Sequence, residues 1–271
     1  MSGSRRLAGL GPTMSVKRRQ SLGLSIGTVV AIILVWALLS ETGVLKASFA
    51  PSPWGFIRAV LGFFVYGYQG TSGWREVGIS LMRVLAGLGL GIVAGVPTGL
   101  AMGYSASAEA MLAPILSFLR PIPPLALIPL AILYFGIGQS AKILVIFIGA
   151  FLYITLSSYM AARSVAKEYL YVCHNLQMTS VQVVLRVLVP ASLPSILSSI
   201  RTATAISWAT VVAAELIGAQ SGLGYVIENA STFNQVSVVF VGLFLLGVIG
   251  FCLDWGVAAL HRRFVHWEGR H

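Results

Sequence analysis

Five ionisable side chains fall inside long apolar stretches, where a charge is costly unless it faces a protein interior or a water-filled path. They are Arg83, Arg120, Arg201, Glu215 and Asp254. Glu215 is the most suggestive, because Ser207 and Thr210 precede it and form a polar stripe on the same predicted helix. We expect Arg120 and this stripe to line or gate a path, and helix pairing or packing by Glu215 is the alternative. Because an ionised carboxylate repels anions, direct binding of an anionic solute by Glu215 is not favoured.

The other three charges have simpler explanations. Arg83 and Arg201 lie toward the ends of their predicted helices, and we expect both side chains to extend toward the membrane surface. Asp254 lies near the end of the last apolar stretch, ahead of Arg262 and Arg263. We therefore expect a structural role for Asp254.

The sequence contains no arrangement typical of catalysis or metal binding. Four histidines lie outside the apolar stretches, at His174, His261, His266 and His271. There is no HExxH motif, and the string GIGQSAK at 136–142 lacks the GxxxxGK[ST] spacing of a phosphate-binding loop. We expect a tight turn there. Cys173 and Cys252 lack CxxC spacing, which predicts two free thiols and no metal site.

The composition excludes a soluble protein. Of the 271 residues, 57% are hydrophobic and only 10% are charged, against about 25% charged in an ordinary soluble domain. Soluble enzymes, disordered tails and disulfide-rich secreted modules are excluded, which leaves a polytopic membrane protein. The net charge of +10 arises largely from basic clusters beside the apolar stretches, so we do not expect nucleic-acid binding.

Six apolar stretches are long enough to cross a bilayer, which predicts an all-α protein with six spans. They cover about residues 22–40, 79–103, 110–135, 140–162, 190–217 and 237–260. Basic residues, typical of cytoplasmic flanks, precede the first span and follow the last: Arg5, Arg6, Lys17, Arg18, Arg19, Arg262, Arg263 and Arg270. We therefore expect cytoplasmic tails at 1–21 and 262–271 around a transmembrane domain at 22–261.

The third span cannot be one straight helix, because five prolines fall within sixteen residues between Pro114 and Pro129. We predict a short helix, a break at 120–124 and a second short helix that ends near Phe135. A broken helix at membrane depth is tolerated only where it is buried in protein or lines a cavity. This pattern favours a transporter over a simple anchor or a scaffold.

Glycines recur every four residues in the second span. They are Gly87, Gly91, Gly95, Gly99 and Gly103. On a helix this spacing lines one groove with bare backbone, which lets another helix approach closely. We expect the groove to pack against a helix of the same chain, and a subunit–subunit face is the alternative.

Two connections are long enough to have structure of their own. The segment 41–78 is expected outside, with the amphipathic, aromatic-rich stretch Trp54–Tyr68 along the membrane interface. The cytoplasmic connection at about 163–189 is expected to form one helix from Glu168 to about Ser180 and another over Val181–Val189. Such a helix–turn–helix offers a docking site for a separate motor protein.

Several strings resemble the permease subunits of bacterial ABC importers, and in particular the nitrate/taurine/aliphatic-sulfonate group. Leu188-Val189-Pro190 matches the hydrophobic-Leu-Pro end of the inner-loop signature of that family. Further similar strings, closest to the taurine branch, lie at 119–126, 135–138, 207–217, 221–225 and 266–269. The resemblance covers about residues 20–270.

The signature departs from the family pattern at its start. Tyr171-Val172-Cys173 stand where the family has Glu-Ala-Ala, and Gln177 stands where it has Gly. A glycine there would supply a positive φ between two short helices, a conformation that glutamine disfavours. We therefore expect a reshaped loop or an unusual motor partner. The first predicted helix of this loop offers Glu168, Tyr171, Cys173 and His174, spaced at roughly one turn, as contacts for a groove on the motor, with Gln177 and Met178 in the turn.

The resemblance implies a homodimeric permease in a bacterial inner membrane, which forms a path for a small oxyanion. Taurine or another sulfonate is the first expectation, and nitrate or bicarbonate is possible. The implied partners are membrane lipid, two cytoplasmic ATPase subunits that carry ATP and Mg, and a periplasmic or lipid-anchored binding protein. The chain itself would hold no cofactor and would not be an enzyme. The alternatives are a secondary transporter driven by an ion gradient and an integral-membrane enzyme.

Overall fold

The computed structural model describes residues 13–44, 46 and 48–265, with side chains from Gly27 onward except those of Lys167 and Leu170. Arg5, Arg6, the string 266–269, His266, Arg270 and His271 lie outside the described residues. Within the described part the regular structure is helical, apart from one isolated bridge between Tyr68 and Thr71. The predicted all-α class is confirmed for this part of the chain.

The helices follow one another along the described chain with short connections. They are α1 (Thr13–Glu41), α2 (Pro53–Val65), α3 (Gly73–Tyr104), α4 (Ala106–Leu119), a 3-10 helix (Pro124–Leu127), α5 (Ile128–Phe135), α6 (Gln139–Arg163), α7 (Lys167–Asn175), α8 (Ser180–Val183), a π-helical turn (Val184–Leu188), α9 (Val189–Leu216), α10 (Leu223–Thr232) and α11 (Val236–Phe264). From α8 to α9 the chain runs without a break, so Ser180–Leu216 forms one long helix.

Helices α3, α6 and α9 pack against one another and form the centre of the bundle. We call the end of the bundle that carries the connections 42–72, 136–138 and 217–235 the upper end. The opposite end, with the connection 164–179, is the lower end. Helices α3 and α6 both run from the upper end to the lower end and pack in parallel, whereas α9 runs in the opposite direction.

Four helices of the described chain are long and apolar enough to cross a membrane, namely Gly73–Tyr104, Gln139–Arg163, Ser180–Leu216 and Val236–Phe264. They contain the predicted second, fourth, fifth and sixth spans. The pair Ala106–Leu119 and Pro124–Phe135 is a fifth candidate, bent by 82° at its break. The described apolar part of α1, Gly27–Glu41, is shorter.

The break in the third predicted span is confirmed. Helix α4 ends at Leu119, and regular structure resumes only with the 3-10 helix at Pro124. Pro121, Pro123 and Pro124 remove backbone donors and restrict the preceding residues, so the helix cannot continue. Three residues then connect α5 to α6, beginning with Gly136 at φ +73°, as the predicted tight turn requires.

The predicted helix over 168–180 is wrong at its second end, because α7 stops at Asn175. Thr179 begins the next helix: its hydroxyl accepts from the Gln182 amide, and the Gln182 side chain accepts from the Thr179 amide. The predicted second arm is the first part of the long helix Ser180–Leu216. Gln177 lies between the two helices at φ +53°, the positive φ that the family's glycine would supply.

Candidate functional site

Arg83 of α3 and Glu215 of α9 form a buried ion pair near the upper end of the bundle. Nη1 of Arg83 lies 2.6 Å from Oε1 of Glu215, and each residue is 1% exposed. The Ser80 hydroxyl lies 2.9 Å and 2.8 Å from the two Glu215 oxygens and can donate to either. A buried charge is tolerated only when it is paired and hydrogen-bonded, so the two residues depend on each other.

The same cluster holds the start of α10. Arg83 donates to the carbonyl oxygen and the hydroxyl of Ser221, at 2.8 Å and 3.0 Å. The next three backbone amides, those of Gly222, Leu223 and Gly224, donate to Glu76, Ser80 and Glu215 respectively. These are amides that α10 cannot satisfy by itself, and carboxylates suit the positive end of a helix. The side chains of α3 and α9 therefore fix α10 in place.

Glycine is required at position 222 of this connection. Gly222 has φ +104°, and a Cβ built there would collide with the Glu215 carboxylate. The backbone can approach the carboxylate only because no side chain intervenes.

The connection between α5 and α6 is tied to the same cluster. Nε of Arg83 donates to Oε1 of Gln139 at 2.5 Å. The buried Lys142 donates to the carbonyl oxygens of Ile137 and Gly138, at 2.7 Å and 3.3 Å. Arg83 thus joins the start of α6, just after the α5–α6 connection, to the α9–α10 connection.

The expectation that Arg83 extends to the membrane surface is wrong. The reason is that Glu215 lies at the same depth on a neighbouring helix, and pairing outweighs exposure for a charge in apolar surroundings. The sequence held a signal for this, because Glu76, Ser80 and Arg83 are spaced by four and three residues and share one helix face. This signal would have identified Glu76 and Ser80, which we had not predicted.

The remaining path candidates are placed differently. Ser207 and Thr210 are buried on α9, and Thr210 donates to the Ile206 carbonyl oxygen at 2.8 Å. The Ser207 hydroxyl is buried with no hydrogen-bond partner among the described residues. Arg120 is exposed at the break after α4, so it does not belong to the buried cluster. Glu215 has the geometry of the helix-pairing alternative.

A second cluster lies at the lower end, where α4 begins and α6 ends. The Tyr159 hydroxyl and Nη1 of Arg163 both donate to Oε1 of Glu109, each at 2.5 Å. The Arg163 guanidinium also lies 5.7 Å from the centre of the Tyr159 ring. These contacts tie the start of the broken span to the residue that precedes the 164–179 connection.

Arg201 and Asp254 form a two-pronged ion pair between α9 and α11. Nε and Nη2 of Arg201 lie 2.6 Å from the two Asp254 oxygens, and the side chains are 52% and 44% exposed. The half-exposed Arg201 side chain is compatible with the expected extension toward the membrane surface, but its pairing with Asp254 was not predicted. Two opposite charges at similar depth on adjacent helices neutralise each other, so the pair carries a lower free-energy cost than each charge would carry alone. Asp254 has the structural role that we expected, with Arg201 as its partner.

Most of the predicted motor contacts in the 164–179 connection are exposed on the protein surface. Glu168, Tyr171, His174 and Gln177 are exposed, and Met178 is half-buried. Cys173 is only 4% exposed, so its assignment as a surface contact is wrong. Residues two apart on a helix point in nearly opposite directions, and Cys173 faces the bundle while Tyr171 faces away.

The glycine row of α3 faces α6. A Cβ built at Gly91 would lie 2.6 Å from Cβ of Ala150, and one at Gly95 would lie 3.1 Å from Cγ2 of Ile154. Gly87, Gly99 and Gly103 likewise meet α6 residues at Ile146, Thr155 and Ala162. These contacts lie within one chain, and they leave no room for side chains between the two helices.

On the outer surface of the upper end, the loop between α2 and α3 is tied to α10. The Tyr68 hydroxyl donates to Oδ1 of Asn229 at 2.8 Å. Burial raises the pKa of Tyr68, and the neighbouring Tyr225 raises it further, so the phenol remains a hydrogen-bond donor. No group of three or more histidine, cysteine, aspartate or glutamate side chains in the described residues could hold a metal ion.

A helical bundle with four or five candidate spans, one of them broken, and with buried charges that join its helices defines a multi-pass membrane protein of the transporter class. A family model described as "Binding-protein-dependent transport system inner membrane component" matches residues 87–266. The chain belongs to this family, the inner-membrane permeases of ABC importers.

Several relatives match along nearly the whole chain. The taurine transport system permease protein TauC of Escherichia coli (strain K12) is 34% identical over 91% of this chain and 90% of its own length. A Bacillus subtilis (strain 168) permease named for aliphatic sulfonates transport, SsuC, is 35% identical over 88% of this chain and 84% of its own. The bicarbonate transport system permease protein CmpB of Synechocystis is 29% identical over 95% of this chain and 94% of its own.

The fold also matches solved structures. An inward-facing structure of the MetNI methionine ABC transporter superimposes with a TM-score of 0.63 at 20% identity. The match covers 70% of this chain and 95% of the other. At this identity the likeness concerns the fold alone.

Proposed function

We propose that this chain is the permease subunit of an ATP-driven importer for a small oxyanion, with taurine or another sulfonate as first choice and nitrate-type anions next. The observation that carries the proposal is the 34% identity to a taurine transport permease over 91% of the chain. The sulfonate permease at 35% identity supports the same substrate class. Substrate choice in such a system also depends on the protein that delivers the solute.

The proposed topology has six spans, with both termini and the lower end in the cytoplasm. The first span is 22–40, which lies within α1, and the broken pair of helices is the third. The lower end carries Arg163, Arg186, Arg262 and Arg263, and cytoplasmic flanks are rich in such residues. The domain division is a tail at 1–21, a permease domain at 22–261 with its coupling loop at about 163–189, and a tail at 262–271.

The driving force is proposed to come from two separate ATPase subunits that bind ATP and Mg, so this chain is not itself an enzyme and holds no cofactor. Tyr169, Tyr171, Val172 and Leu176 are exposed apolar side chains around α7. Apolar side chains at the end of a helical bundle favour a protein partner. Motion of the motor would reach the spans through α7 and through Arg163, which holds the start of α4.

A second copy of the chain is proposed to complete the path. Neither α4 nor the 3-10 helix contains a buried residue in one copy, and large side chains such as Phe118, Leu133 and Tyr134 are exposed along the broken span. Irregular backbone at membrane depth must be covered by protein or line a water-filled cavity. In a homodimer that pairs across this broken span, the second copy would cover one side of the irregular backbone and the other side would line the path.

Within that path, the exposed Arg120 is the proposed contact for the oxyanion. A guanidinium binds sulfonate or carboxylate oxygens through paired donors. Ser207 and Thr210 remain proposed as lining residues of α9. Glu215 is proposed to act through its pairing with Arg83, as a gate or a fixed joint, because an ionised carboxylate does not bind an anion.

The proposal is tested by uptake into proteoliposomes. The chain and its ATPase are reconstituted together in liposomes. The periplasmic or lipid-anchored binding protein and labelled taurine are then added. We expect uptake that requires ATP and both partner proteins, with competition by other sulfonates. Uptake by the chain alone under an ion gradient would instead establish a secondary transporter.

A further inference from the structure

Helix α2 has two apolar faces, and in the described part of the chain one of them is covered by protein and the other is exposed. Phe63 packs into a buried cluster with α10 and α11, and the Phe56 ring meets the Phe244 ring edge-on at 5.4 Å. The opposite face is a stripe of exposed side chains: Trp54, Ile57, Leu61 and Val65. These residues follow the three- and four-residue spacing of one helix face.

Each end of this stripe carries a tryptophan next to an arginine. At the start of α2 the exposed Arg58 guanidinium lies 5.3 Å from the centre of the Trp54 ring. Beyond its end, the Trp74 ring packs on Phe64 at 4.4 Å and remains exposed, and the exposed Arg75 follows it. Tryptophan favours the level of lipid headgroups, and arginine beside it supplies a charge that complements phosphate.

The length and attachment of α2 define where it can lie. Thirteen residues extend about 20 Å, which is too short for the ~30 Å hydrocarbon core. Phe56 reaches Phe244, eight residues into α11, and the Phe63 ring lies beside the start of α3 at Gly73. The helix is therefore held against the upper parts of the spans, within reach of one leaflet.

We propose that α2 is seated in the membrane leaflet at the upper end, where its exposed stripe contacts acyl chains and Arg58 and Arg75 bind the phosphates of phospholipid headgroups. We assign a phospholipid to this surface because its two parts match the two parts of the lipid. The apolar stripe suits the acyl chains, and the arginine and tryptophan at each end of the stripe suit the phosphate headgroups. This seat does not depend on the transported solute, on ATP or on which side of the membrane the upper end faces.

The first experiment measures the depth of the stripe. A nitroxide label is placed at Leu61→Cys in the full chain carrying Cys173→Ser and Cys252→Ser, in lipid nanodiscs. The matched control is Glu228→Cys, an exposed position on α10 at the same end. We expect relaxation of the Leu61 label by oxygen and protection from a water-soluble nickel chelate, with the reverse at position 228. Equal access of the chelate to both labels would overturn the proposal, as would protection at Leu61 that appears only when a soluble binding protein is added.

The second experiment measures the phosphate contacts. The full chain in zwitterionic detergent is titrated with phosphatidylglycerol, and binding is followed by thermal stabilisation. We expect Arg58→Gln and Arg75→Gln each to weaken the apparent affinity about fivefold, the effect of one basic residue at an anionic surface. Lys46→Gln removes an exposed charge outside the stripe and should change the apparent affinity for phosphatidylglycerol little. Unchanged affinity in both arginine variants, or equal stabilisation by inorganic phosphate alone, would overturn the proposal.

Discussion

Nη1 of Arg83 and Oε1 of Glu215 lie 2.6 Å apart, although the two residues are 132 positions apart in the sequence. Through this contact the upper ends of α3 and α9 are joined, and the start of α10 is held by the same side chains. A residue that looked like a path-lining carboxylate is therefore the centre of a joint between helices.

Replacement of Glu215 by Gln should destabilise the chain strongly. It leaves the Arg83 charge buried without its ionic partner, which costs about 3–5 kcal/mol for pairs of this kind. Melting temperature and folded yield in detergent measure the effect. The control is Asp254→Asn, which breaks a half-exposed pair and should change both values less. The double variant Arg83→Met with Glu215→Leu should recover part of the stability, because it removes both charges but leaves the Gly224 amide and Ser221 without these partners.

The transport readout separates the two roles of Glu215. If Glu215→Gln assembles with its partners at the permissive temperature but transports less, the residue acts in gating. If assembly itself fails, Glu215 is a structural joint and its place in the gate is refuted.

Gly95→Leu should lower the folded yield. A Cβ at this position already lies 3.1 Å from Ile154 Cγ2, and extra volume in a packed interface costs about 1–3 kcal/mol. The matched control is Gly89→Leu on the same helix, where a Cβ would meet nothing within 4 Å. Equal yields and melting temperatures for the two variants would contradict the contact between α3 and α6.

Gln177→Gly should leave stability unchanged or raise it by up to about 1 kcal/mol, because glycine adopts φ +53° without strain but gains freedom in the unfolded chain. Gln177→Val should lower stability, because a β-branched residue is strongly disfavoured there. Thermal melting of the two variants in parallel checks the prediction. A less stable glycine variant together with an unchanged valine variant would show that the turn has a different backbone.

Tyr171→Asp should weaken binding of the ATPase. The ring is 68% exposed on α7, and a carboxylate there would lose its water on docking. Co-purification and substrate-stimulated ATP hydrolysis are measured together. The control Phe233→Asp alters an exposed ring at the upper end, away from the proposed motor interface, and should leave co-purification of the ATPase unchanged. Wild-type values in Tyr171→Asp would remove this residue from the motor interface.

Labelling in intact cells should distinguish the two ends of the bundle. With Cys173 and Cys252 replaced by serine, a membrane-impermeant maleimide should react with Glu228→Cys, an exposed site on α10 at the upper end. Tyr171→Cys should react only after the cells are permeabilised. The opposite pattern would invert the proposed topology.

The sequence predicted the features that depend on local chemistry. Prolines between 114 and 129 define the broken span, and the four-residue glycine spacing defines the bare face of α3. The pairing of Arg83 with Glu215, and of Arg201 with Asp254, depends on which helices become neighbours and at what depth. A sequence by itself does not give the distances between helices, so the partners of both arginines were missed and Arg83 was wrongly expected at the surface. Cys173 was misplaced because it was grouped with Tyr171 on one exposed face. Residues two apart on a helix point in nearly opposite directions, so Cys173 is buried where Tyr171 is exposed.

The buried cluster at the upper end contains two acids and two bases, namely Glu76, Glu215, Arg83 and Lys142. With all four ionised their charges cancel, so the cluster produces little long-range electric field. A dissolved anion that approaches this end is therefore neither attracted nor repelled over distance by the buried cluster. Electrostatic sorting of ions by sign falls to exposed groups, which at this end include Arg58 and Arg75, while the buried charges join the helices without adding to that sorting.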